Sequence, residues 1–462
     1  MTENIRKFFN SIVDKKIAFC GLGKSNLPLI KMFSQKGAIV TACDSKNEDQ
    51  LSETIKELRP YNVRFHLGKN YLENLDFDII FRSPGLKFFS PELIQARSKG
   101  YIVTSEMELF FDLCPCKIVG VTGSDGKTTT TTIISEILKQ DGKTVHLGGN
   151  IGTPLLPQIE NIRENDIAIV ELSSFQLISI RRSPDVAIVT NVSPNHLDVH
   201  KDMTEYIEAK KNIILHQNAF SRAVLNMDNE ITKQFGDSVR GQTLFFSSKS
   251  KCDSGAYLRD NTIYFSKNGV SEPILNIDEI RIPGKHNVEN YMAAICAVFE
   301  DVSVDSIKRV AKNFSGVEHR TEFVREVEHV KYYNDSIASS PTRTICGTLS
   351  LFPQKIILIS GGYDKKIPFD TLGSVIADKV KILILLGQTA NKIRDAVINS
   401  SKFSPESIKI VFAKDMQEAV NIARENAVSG DIVSLSPACA SFDLYENFME
   451  RGWHFKELIN KL

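Results

Sequence analysis

The chain has no excess of charge of either sign and no long apolar run. Its 462 residues hold 56 lysines and arginines against 56 aspartates and glutamates, which gives a formal net charge of zero at pH 7. This balance argues against broad binding of nucleic acid or of an anionic membrane. The longest apolar segment, near residues 291–299, is too short to cross a bilayer. We therefore expect no nucleic-acid partner and no membrane partner.

Cysteine is sparse and lacks the spacing of a metal site. The eight cysteines are scattered, and the closest pair, Cys114-Pro115-Cys116, is not a C-x-x-C motif. The N-terminal residues lead into no apolar segment of the kind that a secretory signal contains. These absences predict reduced thiols and a cytoplasmic location.

What the chain does contain is a phosphate-binding sequence. An apolar run at residues 118–121 predicts a buried strand, Thr-Gly-Ser-Asp-Gly-Lys-Thr follows at residues 122–128, and a helix is predicted to about residue 140. Glycines let backbone N–H groups turn toward an anion, and a helix N-terminus adds partial positive charge. Lys127 is placed to reach the outer phosphates, and the Thr128 hydroxyl to bind magnesium. Because the strict P-loop pattern has glycine where this chain has Val121, the match is to a shorter variant; an ordinary glycine-rich turn is the alternative.

Polar residues follow the next predicted elements of the same region. Three glycines surround Asn150, which indicates close backbone approach to a ligand or simply a loop. A buried strand at residues 166–170 ends in Glu171, where a carboxylate beside a P-loop strand suits magnesium. The alternative for Glu171 is a solvated strand end.

A second group of polar residues is also open to more than one interpretation. His196, Asp198 and His200 alternate, which alone would suggest zinc, but no cysteine and no H-E-x-x-H motif lies nearby. One histidine that assists a magnesium or phosphate site is favoured over zinc, and a surface loop is the other alternative. Asn287 and Asn290 share a face near a helix start, where they can bond a nucleotide or cap the helix.

The first hundred residues alternate strand-like and helix-like segments, which predicts a Rossmann-like parallel sheet. Its first turn begins Gly21-Leu22-Gly23, but Asn26 replaces the third glycine of the dinucleotide fingerprint. The turn therefore suits a nucleotide-linked substrate, NAD or no ligand at all. Asp44 ends the second strand, where it can meet a ribose or base, and residues 83–85 follow the fourth strand at the ligand-binding edge.

The chain from about residue 317 alternates strands and helices again and predicts a second doubly wound unit. Its polar loops, at residues 334–336, 361–365 and 436–443, all follow strands. The predicted fold is an α/β protein of three domains. These are a Rossmann-like domain at 1–112, a P-loop ATPase domain at 113–316 and a second Rossmann-like domain at 317–462.

Taken together, these residues resemble the Mur ligase family of peptidoglycan precursor synthesis, over essentially the whole chain. The P-loop at 122–128 is similar to the family's signature, which the folylpolyglutamate ligases share. Residues 171–177, 334–336 and 436–443, with Asn447 and Phe448, resemble the branch of the family that adds D-glutamate. The resemblance implies an ATP-dependent amide ligase that adds D-glutamate to UDP-N-acetylmuramoyl-L-alanine through an acyl phosphate. It also implies a monomer.

The resemblance further implies roles for the residues that match the family's motifs. The implied catalytic residues are Lys127, Glu171, His196 and Lys210. Two magnesium ions are implied, held by Thr128, Glu171, His196 and Lys210, the last as a carbamate whose negative charge can partner a cation. The implied ATP-binding residues are Thr122, Gly123, Ser124, Asp125, Gly126, Lys127, Thr128, Thr129, Asn150, Asn287, Asn290, Arg320 and Asp335. The implied UDP-substrate residues are Gly23, Lys24, Ser25, Asp44, Ser45, Ser83, Pro84 and Gly85. The implied D-glutamate residues are Ser339, Lys365, Ser441 and Phe448.

One position departs from the family pattern. The family reads Asp-Ser-Lys-Ala-Thr where residues 335–339 of this chain read Asp-Ser-Ile-Ala-Ser. Ile337 carries no charge, so either Lys365, Lys366 or Arg343 takes over anion binding, or the D-glutamate site is arranged differently. The serine that ends the run keeps the hydroxyl that threonine supplies.

Three rival interpretations stay open from the sequence. The Gly21–Gly23 turn allows an NAD-dependent oxidoreductase, although the P-loop and the missing third glycine argue against it. A P-loop protein can also be a non-catalytic nucleotide switch or scaffold. Within the family, another amino acid or another precursor is a further alternative.

Overall fold

The computed structural model describes residues 2–194 and 200–462 and contains two compact units. The first comprises Met1–Glu279 and Val288–Val310, and the second comprises Ile280–Asn287 and Ala311–Leu462. The first unit holds two sheets and the second holds one. All three sheets are mainly parallel and carry helices in the crossovers, which confirms the α/β class with a Rossmann-like, a P-loop and a second Rossmann-like domain.

The N-terminal sheet has five parallel strands in the order β3-β2-β1-β4-β5. Strand β1 is exposed at its first residue and buried at the other four, as expected for a strand covered on both faces. The strands are β1 (Lys16–Cys20), β2 (Ile39–Asp44), β3 (Arg64–Leu67), β4 (Ile79–Arg82) and β5 (Ile102–Thr104). The helices are α1 (Glu3–Ser11), α2 (Asn26–Gln35), α3 (Ser52–Leu58), α4 (Pro91–Ser98) and α5 (Glu106–Leu113).

The central sheet has nine strands in the order β14-β13-β12-β11-β10-β9-β6-β8-β7. It is parallel from β7 to β12, and the last two strands add antiparallel. The strands are β6 (Lys117–Thr122), β7 (Val145–Gly149), β8 (Ile167–Glu171), β9 (Val186–Val189), β10 (Arg222–Asn226), β11 (Gln242–Ser247), β12 (Gly255–Arg259), β13 (Thr262–Lys267) and β14 (Val270–Asn276). The helices are α6 (Lys127–Gln140), α7 (Ser174–Leu177), α8 (Met203–Leu215), α9 (Glu230–Phe235), α10 (Lys285–Val298) and α11 (Val304–Asn313).

The sheet of the second unit has six strands in the order β15-β16-β20-β17-β18-β19, with only β15 antiparallel. Apolar clusters cover both of its faces. The strands are β15 (Glu322–Val327), β16 (Val330–Asn334), β17 (Ile356–Ser360), β18 (Val380–Leu385), β19 (Lys409–Phe412) and β20 (Ile432–Leu435). The helices are α12 (Pro341–Thr344), α13 (Asp370–Lys379), α14 (Ala390–Ile398), α15 (Met416–Asn426) and α16 (Phe448–Asn460).

The helices are short relative to a bilayer. The longest in the described part of the chain, α6 and α10, have 14 residues each. At 1.5 Å per residue such a helix spans about 21 Å, against the ~30 Å of a hydrocarbon core. Accordingly, no described helix is long and apolar enough to cross a membrane.

Candidate functional site

The predicted phosphate loop lies between β6 and α6, at the carboxyl edge of the central sheet. Its two glycines have positive φ angles, 153° at Gly123 and 78° at Gly126. A Cβ at Gly123 would collide with Thr190 Oγ1, and a Cβ at Gly126 would lie 2.5 Å from Asn290 Oδ1. Both positions therefore require glycine, as a loop that turns its N–H groups toward an anion does.

The segment that follows β9 is hydrogen-bonded to this loop. Asn191 accepts from the Ser124 N–H through its carbonyl and from the Asp125 N–H through Oδ1, each at 2.9 Å. Thr190 Oγ1 donates to Asp125 O at 2.6 Å. The sequence analysis did not select Thr190 or Asn191, although both directly follow a buried strand, which is the signal that identified Glu171.

The loop's own polar side chains face different partners. Lys127 Nζ donates to the carbonyls of Gly123 and Ser124 at 2.9 and 3.0 Å. Ser124 Oγ contacts Tyr206 OH at 3.0 Å, and Thr128 is buried. Next to the loop, Thr130 Oγ1 donates to Asn290 Oδ1 at 3.1 Å. The structure thus brings Asn290 to the first turn of α6.

Glu171 is a buried carboxylate and not a solvated strand end, so that alternative is wrong. It is 1% exposed, and its Oε1 accepts from Asn150 Nδ2 at 2.8 Å. Its Oε2 is buried and has no hydrogen-bond partner among the described residues. Because an unpaired buried carboxylate oxygen is costly, this atom suits a cation, and oxygen is the ligand that magnesium prefers.

Lys210 is also buried, which the polar pattern of its helix alone does not predict. It lies on α8 at 1% exposure, and its Nζ donates to Gly123 O at 2.7 Å. Burial, and then the nearby charge of Lys127, lower the pKa of Lys210 to about 7, against the opposing effect of Asp125 and Glu171. The neutral, nucleophilic form of this amine is therefore accessible near pH 7.

The alternating histidines do not support a zinc site through His200. His196 and Asp198 lie outside the described residues. His200 Nε2 contacts Ser174 Oγ at 2.8 Å, its Nδ1 contacts Glu205 Oε2 at 3.1 Å, and Phe175 stacks on its ring. Both ring nitrogens are thus occupied, and no described cluster of three histidine, cysteine or acidic residues could hold a metal ion.

The predicted UDP-substrate loops meet at one edge of the N-terminal sheet. The Gly21 N–H donates to Cys43 O at 2.7 Å, and the Ser83 N–H to Cys20 O at 2.9 Å. Asp44 Oδ2 accepts from the Leu22 N–H at 2.7 Å, so this carboxylate holds the first turn. At this edge Gly23, Lys24, Ser45 and Gly85 are exposed, whereas Ser25, Asp44, Ser83 and Pro84 are half-buried.

Asn26 takes the place of the fingerprint's third glycine with a buried side chain. Its Nδ2 donates to Gly21 O at 2.9 Å and to Cys20 O at 3.3 Å. A side chain that fills the turn is the physical difference from a dinucleotide loop, in which glycine permits close packing. This geometry disfavours the NAD interpretation.

Asp335 lies in a closed hydrogen-bond network of the second unit. Its Oδ2 accepts from Ser436 Oγ at 2.8 Å and Thr348 Oγ1 at 2.9 Å, and its Oδ1 accepts from the Thr321 N–H at 3.2 Å. Burial raises the pKa of Asp335 to about 6, although these hydrogen bonds oppose the shift. Two other predicted ATP residues of this unit are Arg320, which is half-buried, and Asn287, which is buried and whose Nδ2 donates to Pro283 O.

Of the predicted D-glutamate residues, the structure places Lys365 beside Ser339. Lys365 is exposed, and its Nζ lies 3.4 Å from Ser339 O. Ser441 is buried and directly follows Ala440, whose carbonyl accepts from the Tyr363 N–H at 3.0 Å. Phe448 is half-buried at the first position of α16.

Arg451 connects these loops and was missed by the sequence analysis. It is 3% exposed, and its guanidinium donates to Ser336 Oγ and O, Cys439 O and Ala440 O at 2.8–3.1 Å. Burial is the main cause that lowers its pKa, to about 10. Nothing in the sequence distinguishes it from the other helical arginines.

The phosphate loop makes a testable prediction. Gly126→Ala should weaken ATP binding by roughly 10- to 100-fold, because its Cβ displaces Asn290 and the strained φ adds about 1–3 kcal/mol. Gly142→Ala is the matched control: its φ is also positive, 81°, but its Cβ has no described atom within 4 Å. Calorimetric titration with ATP measures both variants, and equal weakening in both would contradict a specific role of the loop.

Comparisons with known proteins agree with this geometry. Three family descriptions match: "Mur ligase MurD-like, N-terminal domain" at residues 15–105, "Mur ligase middle domain" at 121–298 and "Mur ligase, glutamate ligase domain" at 319–439. The proteins of Clostridium tetani and Acetivibrio thermocellus named UDP-N-acetylmuramoylalanine–D-glutamate ligase are both 50% identical to this chain. These matches span 463 and 465 residues and cover 100% of each chain.

A solved structure shows the same fold at low identity. The UDP-N-acetylmuramate-alanine ligase MurC of Thermotoga maritima aligns with a TM-score of 0.57 and 18% identity, over 97% of this chain and 99% of that one. Because three domain descriptions together match most of the chain, and relatives match all of it at half identity, the chain belongs to the Mur ligase family.

Proposed function

We propose that this protein is the ATP-dependent ligase that joins D-glutamate to UDP-N-acetylmuramoyl-L-alanine in peptidoglycan precursor synthesis. The observation that carries the ATP chemistry is the arrangement around Gly123 O, which accepts from both Lys127 Nζ and Lys210 Nζ. The two full-length relatives named for this reaction support the choice of substrates. ATP use is common to the family.

The proposed reaction has two steps. A carboxylate oxygen of UDP-N-acetylmuramoyl-L-alanine attacks the γ-phosphorus of ATP, the bond to ADP breaks, and an acyl phosphate forms. The D-glutamate amine then attacks the acyl carbon, phosphate leaves and the nitrogen loses a proton. In the first step the protein mainly positions the reactants and stabilises charge, which is the task of Lys127 and the loop N–H groups.

Magnesium fits the residues beside the loop. The unpaired Oε2 of Glu171 and the buried Thr128 supply oxygen ligands of the kind that this ion takes. When bound, magnesium neutralises charge on the transferred phosphoryl group. Two ions and a contribution from His196 stay predictions, because His196 lies outside the described residues.

Lys210 is proposed to bind magnesium as a carbamate. Its neutral amine attacks the carbon of CO₂ and loses a proton, which gives an N-carboxylate in place of an ammonium. The pKa of about 7 supports this step, since the neutral form is abundant at the pH of most cells. The change of sign also relieves the repulsion between a buried ammonium and Lys127.

The other assignments of the sequence analysis stay proposals. The UDP-substrate set at the edge of the N-terminal sheet has the exposure that a ligand needs, although Asp44 already holds the Leu22 N–H. Asn150 and Asn290 lie next to Glu171 and the start of α6, which suits roles at ATP. The roles of Asn287, Arg320 and Asp335 and the monomeric state are proposed on the resemblance alone. The domain limits 1–112, 113–316 and 317–462 and the cytoplasmic location stay proposals from the sequence.

Lys365 is proposed to replace the charge that Ile337 lacks. Lys365 is one of the three candidate cations, and its Nζ lies 3.4 Å from Ser339 O, within the segment that departs from the family pattern. Its ammonium can therefore meet the side-chain carboxylate of D-glutamate close to where the family lysine lies.

The amino-acid dependence of phosphate release tests the function. With ATP and UDP-N-acetylmuramoyl-L-alanine, we expect release with D-glutamate and not with L-glutamate, L-lysine or water alone. Release of phosphate with a different amino acid would support the ligase activity but assign it a different amino-acid substrate. A protein that binds ATP but releases no phosphate with any of these acceptors would be a binding-only member of the family.

Lys365→Met tests the acceptor site, with Lys366→Met as the control of equal charge change. Loss of a charged hydrogen bond costs about 1.5–3 kcal/mol, so kcat/KM for D-glutamate should fall roughly 10- to 150-fold. The KM for ATP should stay unchanged in both variants, and Lys366→Met should resemble the unmodified protein. A larger loss in Lys366→Met than in Lys365→Met would contradict the assignment.

A further inference from the structure

Cys114 and Cys116 form the segment that joins α5 of the N-terminal sheet to β6, the strand that leads into the phosphate loop. The Cys114 N–H donates to Phe110 O at 2.8 Å and ends α5. Cys116 is 7% exposed, packs in the apolar core and directly precedes β6. Both cysteines are therefore anchored by the elements on either side.

The two sulfurs are in contact without being bonded. Their Sγ atoms are 3.5 Å apart, and Cys114 Sγ also lies 3.7 Å from Cys116 O. A disulfide has an S–S distance of about 2.05 Å, so the sulfurs must approach by roughly 1.5 Å. Cys114 is partly exposed and Cys116 is buried, so Cys114 is the more accessible of the two cysteines.

The thiols of Cys114 and Cys116 differ in pKa. The hydrogen bond from the Cys116 thiol lowers the pKa of Cys114, while partial burial and the negative charge of Asp185 oppose this. The same hydrogen bond and burial raise the pKa of Cys116. Cys114 is thus the accessible sulfur that reaches the thiolate state first, and thiolate is the nucleophilic form.

We propose that Cys114 and Cys116 are a redox-active dithiol that a hydroperoxide converts to an intramolecular disulfide. The Cys114 thiolate attacks one peroxide oxygen, the O–O bond breaks, and the departing oxygen takes a proton to leave as water or an alcohol. The product at Cys114 is a sulfenic acid. The Cys116 sulfur then attacks the Cys114 sulfur, the S–O bond breaks, and water leaves with the thiol proton. The two sulfurs lose two electrons and the peroxide gains two.

Disulfide formation draws Cys116 out of its core position at the start of β6. Because β6 continues without interruption to Thr122 and the phosphate loop, the oxidised protein loses several-fold in ligase turnover. This consequence rests on the proposed function. The disulfide itself does not, so the two are measured separately.

The test uses the full chain, reduced and then exposed to a small excess of hydrogen peroxide. Remaining thiols are alkylated with iodoacetamide, and the digested protein is examined by mass spectrometry. The peptide that contains both cysteines should lose the mass of two hydrogen atoms and carry no alkyl group, and dithiothreitol should restore both thiols. Phosphate release, measured on the same samples, should fall and recover in parallel.

Three variants separate the proposal from general thiol oxidation. Cys346→Ser removes an exposed cysteine elsewhere and should leave the mass change intact. Cys116→Ser should stop at a sulfenic acid that dimedone traps, whereas Cys114→Ser should yield neither product at this site. Alkylation of both Cys114 and Cys116 after peroxide, with Cys346 oxidised, would overturn the dithiol. A disulfide that forms without a change in phosphate release, in a protein active when reduced, would overturn its effect on turnover.

Discussion

The phosphate loop depends on a buried amine beneath it. Lys210 is 1% exposed, and its Nζ donates to Gly123 O at 2.7 Å. Lys127 Nζ donates to the same carbonyl oxygen at 2.9 Å. Burial, and then the repulsion between the two ammonium groups on one carbonyl oxygen, lower the pKa of Lys210 to about 7. Lys210 therefore binds its proton more weakly in the folded protein than in the unfolded chain. The free energy of unfolding rises with pH between about 7 and the ordinary lysine pKa as a result. The loop therefore favours a state in which Lys210 is neutral or, as a carbamate, anionic.

The carboxyl edges of the three sheets carry two kinds of polar residue. The side chains of Asn191, Asp44 and Asp335 accept hydrogen bonds from N–H or hydroxyl groups and so fix the loops that contain the predicted ligand-binding residues. Glu171 differs, because one of its oxygens is buried without a partner in the described chain. Removing a supporting acceptor leaves a backbone donor unsatisfied at a cost of about 1–3 kcal/mol. Residues of the first kind are thus committed to holding their loops, and only the second kind has an oxygen available to a cation.

The sequence was sufficient for the fold class and for most strands, since parallel strands buried on both faces give uninterrupted apolar runs. It also located Glu171 and the loop glycines, because strand ends and glycine spacing are local signals. It could not foresee that Lys210 is buried, because a lysine within a polar helix pattern looks solvated until tertiary packing covers it. Arg451 was missed for the same reason, because only tertiary packing brings its guanidinium to the carbonyls of Cys439 and Ala440.

The most direct test of this account is ¹³C NMR of the full chain in ¹³C-labelled bicarbonate, with Lys210→Arg as the control. A carbamate resonance should appear on one lysine and grow from pH 6 to pH 8, as the neutral fraction of an amine of pKa about 7 grows. It should be missing in Lys210→Arg, because a guanidinium stays protonated at these pH values. A signal that develops only near pH 10, or one that persists in Lys210→Arg, would contradict the claim that the site holds a neutral, reactive amine beneath the phosphate loop.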